Sequence, residues 1–481
     1  MVKMKVVISN PPWPGEGYGV RTNVRWPHRR KDKALAFPIY LAYTSSLLKQ
    51  NKFEVYAIDA VEKEFSIQRF IDEIRKINPS FILLEVSTPS IEYDLETAQE
   101  IKKNLPNTVI ALCGPHATYF HKDILEKYKF IDIIIRNEFE YTTLNLCKSL
   151  KDKHKLNEVD GISFREKNKI IINKDADLIK NLDDLPLPDR ESFKIENYQQ
   201  AFYCGKKTAL MISSKGCPYQ CSFCIWPQVL NGHKHRTRSV KSVVNEIEYL
   251  IKNYNVDEIF FDDDTFAISK ERIEEFCNEI LKRNIKIPWV CMGRVNIINQ
   301  EIIQLMKKAG CTQIFYGFES GSDKILKAVN KGITKEEMIN AVRLTQKDGL
   351  VASGSFMFGL PDEDKETVKE TINFAKKLHA DFVQFTLAAP FPGTKFYEEA
   401  KSLDLLEIKS WSDLDGTKGA IIRTKYLSKK DLEGILRKAY ISYYTSPTII
   451  LINLKKLILR REFKRLFRGI KSVIARILFY N

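Results

Sequence analysis

Two successive series of short β-branched runs alternating with helical patterns fill most of the chain, and that rhythm restricts it to parallel βα architectures. In the first series, residues 5–9, 53–59, 81–86, 109–113 and 131–135 read as five buried strands. They predict an open α/β sheet, doubly wound, with its ligand at the carboxyl ends of the strands. Three loops rich in Gly, Pro, Ser and Thr fall at those ends: Asn10-Pro11-Pro12-Trp13-Pro14-Gly15, Ser87-Thr88-Pro89-Ser90 and Gly114-Pro115-His116-Ala117-Thr118. In the second series the strand candidates are 209–213, 258–262, 289–292, 313–318, 351–358 and 382–387. Amphipathic helices are expected at 240–254 and 271–283, with 322–329 and 336–347 both before the fifth strand. Six such units without hairpin signals predict a partial parallel (β/α)6 barrel, with its chemistry at the carboxyl ends of the strands. Between the two series, residues 151–205 are charged and Asn-rich and end in Leu185-Pro186-Leu187-Pro188-Asp189, which suits an extended connector. The domains expected are therefore 1–150, a linker at 151–205, a barrel at 206–400, a helical extension at 401–446 and a basic amphipathic tail at 447–481.

Directly after the first strand of the second series comes Gly216-Cys217-Pro218-Tyr219-Gln220-Cys221-Ser222-Phe223-Cys224. Cys217, Cys221 and Cys224 supply three thiolates from one loop, enough for three irons of a [4Fe–4S] cluster with the fourth iron left open. That iron can take the amino and carboxylate groups of S-adenosylmethionine (SAM), whose sulfonium one-electron reduction then splits to a carbon radical. A zinc ion on the triad plus His233 or His235 is an alternative, although zinc ligands usually come as two separated pairs. A four-cysteine electron carrier using Cys204 is another. Cys113, Cys147, Cys277, Cys291 and Cys311 fall in or beside strand and helix patterns and read as buried small hydrophobes.

The loop, with Phe223 as its aromatic, resembles the signature of the radical SAM superfamily. The resemblance extends to Asp262-Asp263-Asp264, Arg294, Gly317-Phe318-Glu319-Ser320-Gly321, Gly359-Leu360-Pro361 and Pro390-Phe391-Pro392-Gly393-Thr394, each at a strand end. It spans roughly residues 3–400 and is closest to the branch with an N-terminal cobalamin-binding domain, a Rossmann-like fold. It implies that Phe223 lends its backbone to the SAM adenine and that Asp263 lies near the methionine amino group. Arg294, Glu319 and Ser320 become candidates for the carboxylate or ribose.

For cobalamin, the resemblance implies a site formed by Ser87, Thr88, Gly114, His116 and Thr118, with the nucleotide tail along the 114–118 loop. The best-known cobalamin domains place Asp-x-His-x-x-Gly after the first strand; this chain has Asn10-Pro11-Pro12-Trp13-Pro14-Gly15 there, so that loop brings no lower axial histidine. His116 remains a candidate ligand, set against a hydrogen-bonded or exposed histidine. Several radical SAM relatives share the departure.

Charge sharpens the picture of partners. The chain carries a net +15, yet from residue 447 onward nine basic residues against Glu462 alone contribute +8, leaving +7 elsewhere. In that tail Phe463, Leu466, Phe467, Ile470, Val473, Ile474, Ile477 and Leu478 recur at three- and four-residue steps opposite Arg460, Arg461, Lys464, Arg465 and Arg468. The pattern suits the surface of an anionic membrane, or a helix packed on the barrel with its charges in water. Nucleic acid ranks below both, because the aromatics of a single-strand platform are few. No apolar run approaches the roughly 20 residues of a membrane span and the first ten residues lack a signal peptide, so the expected location is cytoplasmic, peripheral to the inner membrane surface.

The function expected is radical functionalisation of an unactivated carbon, by methylation, cyclisation or C–C coupling, on an isoprenoid or other membrane lipid, with an electron donor of ferredoxin or flavodoxin type. The alternatives are a methylthiotransferase acting on RNA or protein, whose second cluster would need Cys113, Cys147 and Cys204, and a non-catalytic iron–sulfur protein.

Overall fold

The computed structural model describes residues 4–21, 27–30, 34–198, 207–266, 268–416 and 419–452. Strands β1 (Lys5–Asn10), β2 (Glu54–Asp59), β3 (Phe81–Glu85), β4 (Val109–Cys113) and β5 (Ile133–Ile135) lie parallel in the order β2-β1-β3-β4-β5. All five residues of β3 are buried, as expected of a strand covered on both faces. The order reverses at β1, which opens a crevice at the carboxyl ends of β1 and β3.

The connector reading of residues 151–205 needs correction. Within it, β6 (Ile162–Glu166) and β7 (Lys169–Ile172) form a hairpin that pairs antiparallel with β5 and extends the sheet to seven strands. Lys167 and Asn168, both at positive φ, make its two-residue turn. This pair lacks the Asn-Gly or Asp-Gly signature by which such turns are usually read.

The second sheet contains β8 (Thr208–Met211), β9 (Glu258–Phe261), β10 (Trp289–Gly293), β11 (Cys311–Glu319), β12 (Val351–Phe358) and β13 (Phe382–Leu387), all parallel and in chain order. β8 and β13 are the two ends of this order, so the barrel is partial, as the spacing predicts. Helix starts follow the capping residues: Ser239, Ser269, Thr334 and Asp364 each accept a backbone N–H of the first turn. The helix Val240–Tyr254 buries Val243, Val244, Ile247 and Leu250, the stripe its periodicity implies. The edge strand β13 is sealed by the helix Lys429–Tyr444, whose Tyr440 hydroxyl both donates to the Phe385 carbonyl and accepts from its N–H.

A short antiparallel ladder, Ser214–Lys215 with Arg236–Thr237, brackets the cysteine loop and brings Lys215 and Arg236 against the first domain. There Lys215 pairs with Glu140 and Arg236 with Glu138 (2.7 Å), all four side chains buried. Removing one member of such a set costs about 3–5 kcal/mol, because its partner stays buried and charged, so these pairs hold the two domains in one orientation. Among the described residues no helix is long and apolar enough to cross a membrane. The tail residues 460–478 that carry the amphipathic pattern lie outside the described residues.

Candidate functional site

The cysteine loop is pinned from several sides. Gly216 enters it at φ +84, where an added Cβ would stand 2.3 Å from the Lys234 carbonyl oxygen. The Asp264 carboxylate accepts the Gly216 N–H (2.7 Å), and Asp263 accepts Ser213 N–H (2.6 Å), Ser213 Oγ (2.5 Å) and Ser214 N–H (3.1 Å). The Gln228 side-chain amide donates to the carbonyls of Cys221, Ser222 and Cys224. Cys221 is buried, Cys217 and Cys224 are half-buried, and none of the three is in a disulfide.

These residues suit an iron–sulfur cluster. Burial pushes the Cys217 thiol up, while the Tyr219 backbone N–H directed at its sulfur pulls it down, the kind of N–H to sulfur contact that favours a ligating thiolate. Among the described residues no group of three or more His, Cys, Asp and Glu side chains gathers closely enough for a single metal ion. His233 points Nδ1 at the Cys217 carbonyl oxygen (3.2 Å).

The SAM candidates separate into two groups. Arg294 stacks its guanidinium 3.3 Å from the centre of the Tyr219 ring in the cysteine loop and donates to the Lys331 carbonyl (2.9 Å). Lys331 Nζ in turn pairs with Glu319 (2.7 Å), which sits at φ +64 where the β11–β12 register shifts. Tyr219, Arg294, Lys331 and Glu319 thus form one charged group beside the cysteines, at the carboxyl ends of β10 and β11. Phe223 packs half-buried against the core. Asp263 and Ser320, by contrast, bind neighbouring backbone and side chains: Asp263 as above, and Ser320 through Thr371 Oγ1 (3.1 Å) and Ser322 N–H (3.1 Å). Sequence reasoning missed Lys331 and Gln228, and it had Asp264 only as part of the acidic run, without its bond to Gly216. Tyr219 was in view inside the motif, but nothing local marks it as the partner of Arg294.

On the other side, a narrow cleft lies between the two domains. Ser87, Thr88 and Gly114 line it from the first domain, and Ile225, Trp226, Leu230 and Phe391 from the barrel. Gly114 has φ +104, and a Cβ there would meet the Val86 carbonyl oxygen at 2.4 Å, so only glycine lets the chain pass this close. His116 and Thr118 are not in its lining. His116 is buried against Phe120 (4.7 Å) and Trp411 (5.3 Å), where burial lowers its pKa to about 3 and keeps the ring neutral. Thr118 Oγ1 accepts the Asn137 N–H (3.0 Å). The Asn10–Gly15 loop is tied by Arg21, which donates to Asn10 Oδ1 and the carbonyls of Pro11 and Pro12 and pairs with buried Asp94 (2.6 Å). In the chemistry of its lining, the close-passing Gly114, the apolar walls and the buried Glu85 Oε2, which has no partner, suit the face and polar rim of a mostly apolar ring.

Comparison with known proteins agrees with this layout. Residues 211–375 match the family model described as the Radical SAM superfamily, and residues 30–146 match the B12 binding domain. An uncharacterized methyltransferase of Pyrococcus horikoshii is 33% identical over 415 residues, 86% of this chain and 89% of that protein. An anaerobic magnesium-protoporphyrin IX monomethyl ester cyclase of Cereibacter sphaeroides is 28% identical over 456 residues, 93% of this chain and 71% of the cyclase. Among solved structures, the cobalamin-dependent S-adenosylmethionine radical enzyme OxsB, with aqua-cobalamin and S-adenosylmethionine bound, shares the fold with a TM-score of 0.71. The match is 20% identical and covers 96% of this chain and 72% of that one.

Proposed function

As this chain belongs to the radical SAM superfamily, in the branch with a B12-binding domain, and so uses a [4Fe–4S] cluster, SAM and cobalamin, we propose that it transfers a methyl group to an unactivated carbon. The observation that carries this reading is the shared cleft: Ile225 and Trp226, which directly follow Cys224, line it together with Ser87, Thr88 and Gly114. Cys217, Cys221 and Cys224 would hold the cluster, and Ser87, Thr88 and Gly114 would meet the corrin on the side of the first sheet. What these groups supply when bound is one-electron cleavage of the SAM sulfonium and a methyl carrier. The chain's own part is to bind and to exclude water. Three thiols hold the cluster, Arg294 and Lys331 offer positive charge near it, and Tyr40, Phe139, Leu230 and Phe391 keep the cleft apolar, which protects a radical from solvent.

Such chemistry requires a small-molecule substrate and an electron donor. The finer reading takes a ferredoxin or flavodoxin as donor and an isoprenoid or other membrane lipid as substrate, supported by the composition of the basic tail, which would rest on an anionic bilayer. A second reading, ring closure, draws support from the resemblance to the cyclase. The methylthiotransferase reading is weakened, because Cys113 and Cys147 are both fully buried in the core; Cys204 lies outside the described residues.

The test is anaerobic turnover of the cluster-loaded chain with SAM, hydroxocobalamin, a low-potential reductant and a membrane-lipid extract, followed by mass spectrometry. Methyl transfer predicts S-adenosylhomocysteine and 5′-deoxyadenosine in equal amounts, with a lipid heavier by one methylene. Deoxyadenosine without S-adenosylhomocysteine would favour ring closure, and the absence of both would overturn the assignment.

A further inference from the structure

The inter-domain cleft carries two polar atoms that its own walls leave unserved. Glu85, the last residue of β3, is 5% exposed and its Oε2 has no partner; Trp226, two residues beyond Cys224, is 7% exposed and its indole Nε1 has none. Buried polar groups in folded proteins are bonded in the great majority of cases, so two of them on residues that line one cleft, one from each domain, call for a partner that the chain itself does not supply. Arg21, Tyr40 and Ser87, which also line the cleft, are engaged within the chain. Arg21 is divided among Asp94, Ser90, Asn10 and the carbonyls of Pro11 and Pro12, the Tyr40 hydroxyl accepts from Asn231, and Ser87 Oγ is bonded to Ser90 Oγ.

We propose that Glu85 and Trp226 are positioning residues, a pair of hydrogen-bond donors that hold amide carbonyls on the rim of a corrin in this cleft. This rests on the cobalamin reading above and assigns it two residues. The walls are apolar, which suits the face of a flat ring, and cobalamin's ring edge carries primary amides whose oxygens accept.

For Glu85 to donate, its carboxyl must keep its proton. Burial dominates and pushes it up to about 8, with Arg21 opposing and Asp59, Glu140 and Asp94 adding to the rise. The other groups nearby do not neutralise it: Lys215 is bound to Glu140, and the Cys113 thiol, opposite Glu85 in the β3–β4 register, is itself pushed well up by burial. The acid is therefore neutral below pH 8 and charged above it, so binding weakens as pH rises.

The experiment is equilibrium binding of hydroxocobalamin to the full, cluster-loaded chain at pH 7 and pH 9, read by the absorbance of protein-bound corrin after ultrafiltration. Iron content and melting point confirm the fold of each variant. Wild type is expected to bind about tenfold more weakly at pH 9. Glu85→Gln keeps a neutral donor and should bind within about threefold of wild type at pH 7, with no pH dependence. Glu85→Ala and Trp226→Phe should each bind about fivefold more weakly at pH 7. If the wild type binds and Glu85→Gln retains its pH dependence, or the Ala and Phe variants bind like wild type, the donor pair is overturned and the cobalamin reading stands. If folded, iron-loaded wild type fails to bind at either pH, the cobalamin reading falls and the pair with it.

Discussion

Replacing Asp263 separates a SAM-binding role from a scaffolding one. The side chain is fully buried, and its carboxylate accepts the N–H groups of Ser213 and Ser214 and the Ser213 hydroxyl, directly before the cysteine loop. Asp263→Ala leaves two backbone N–H groups buried without these acceptors, at about 1–3 kcal/mol each. Part of that is offset because burial already disfavours the carboxylate, raising it to about 6 against the pull of the Ser213 bonds. The net loss is then about 3 kcal/mol, a fall in melting point of roughly 6–12 °C for a domain of this size. Asp263→Asn keeps an acceptor oxygen and should lose about 1 kcal/mol. Scanning calorimetry gives the stabilities, iron per chain after anaerobic reconstitution reports the loop, and equilibrium dialysis reports SAM. The scaffold role predicts less bound iron in Asp263→Ala and SAM affinity within about threefold of wild type in folded Asp263→Asn. An Asn variant with normal melting and iron but SAM affinity down by more than about tenfold would refute the reasoning and put the carboxylate on SAM.

Two further outcomes follow from backbone and burial. Gly114→Ala must place a Cβ 2.4 Å from the Val86 carbonyl oxygen at φ +104 and should cost about 3 kcal/mol and abolish hydroxocobalamin binding. Gly332→Ala, at φ +64 with nothing within 4 Å, should cost only about 1 kcal/mol and leave binding intact; equal effects would contradict the role given to Gly114. Glu363 is fully buried, with Oε2 accepting from Gly359 N–H and Oε1 unpartnered, and burial raises its pKa from 4.5 to about 8. A raised acid binds its proton more tightly in the folded state. Its contribution is therefore full below pH 4.5 and is lost as pH climbs through 8, at roughly 1.4 kcal/mol per unit. Glu363→Gln should flatten the fall in melting point between pH 6 and 8.5, and melting curves that shift in parallel with wild type would exclude this.

Local patterns were enough for much of the architecture. Strands and helices announce themselves through periodicities of two and 3.6 residues, so all six barrel strands and the first five of the other sheet sit within about two residues of their expected positions. Val351–Phe358 and Val240–Tyr254 match end to end. The cysteine spacing is likewise a property of nine consecutive residues. What had to wait for the folded chain are relations between distant residues. Asp263 meets Ser213 across fifty positions, Arg294 meets Tyr219 from a different strand end, and Lys331 turns Glu319 into half of a buried ion pair. His116, plausible as a ligand in a loop, is packed between Phe120 and Trp411, a residue almost three hundred positions later. Periodicity records which face of an element is buried, whereas the partner a polar side chain finds there depends on how separate elements are stacked, and no short-range pattern encodes that.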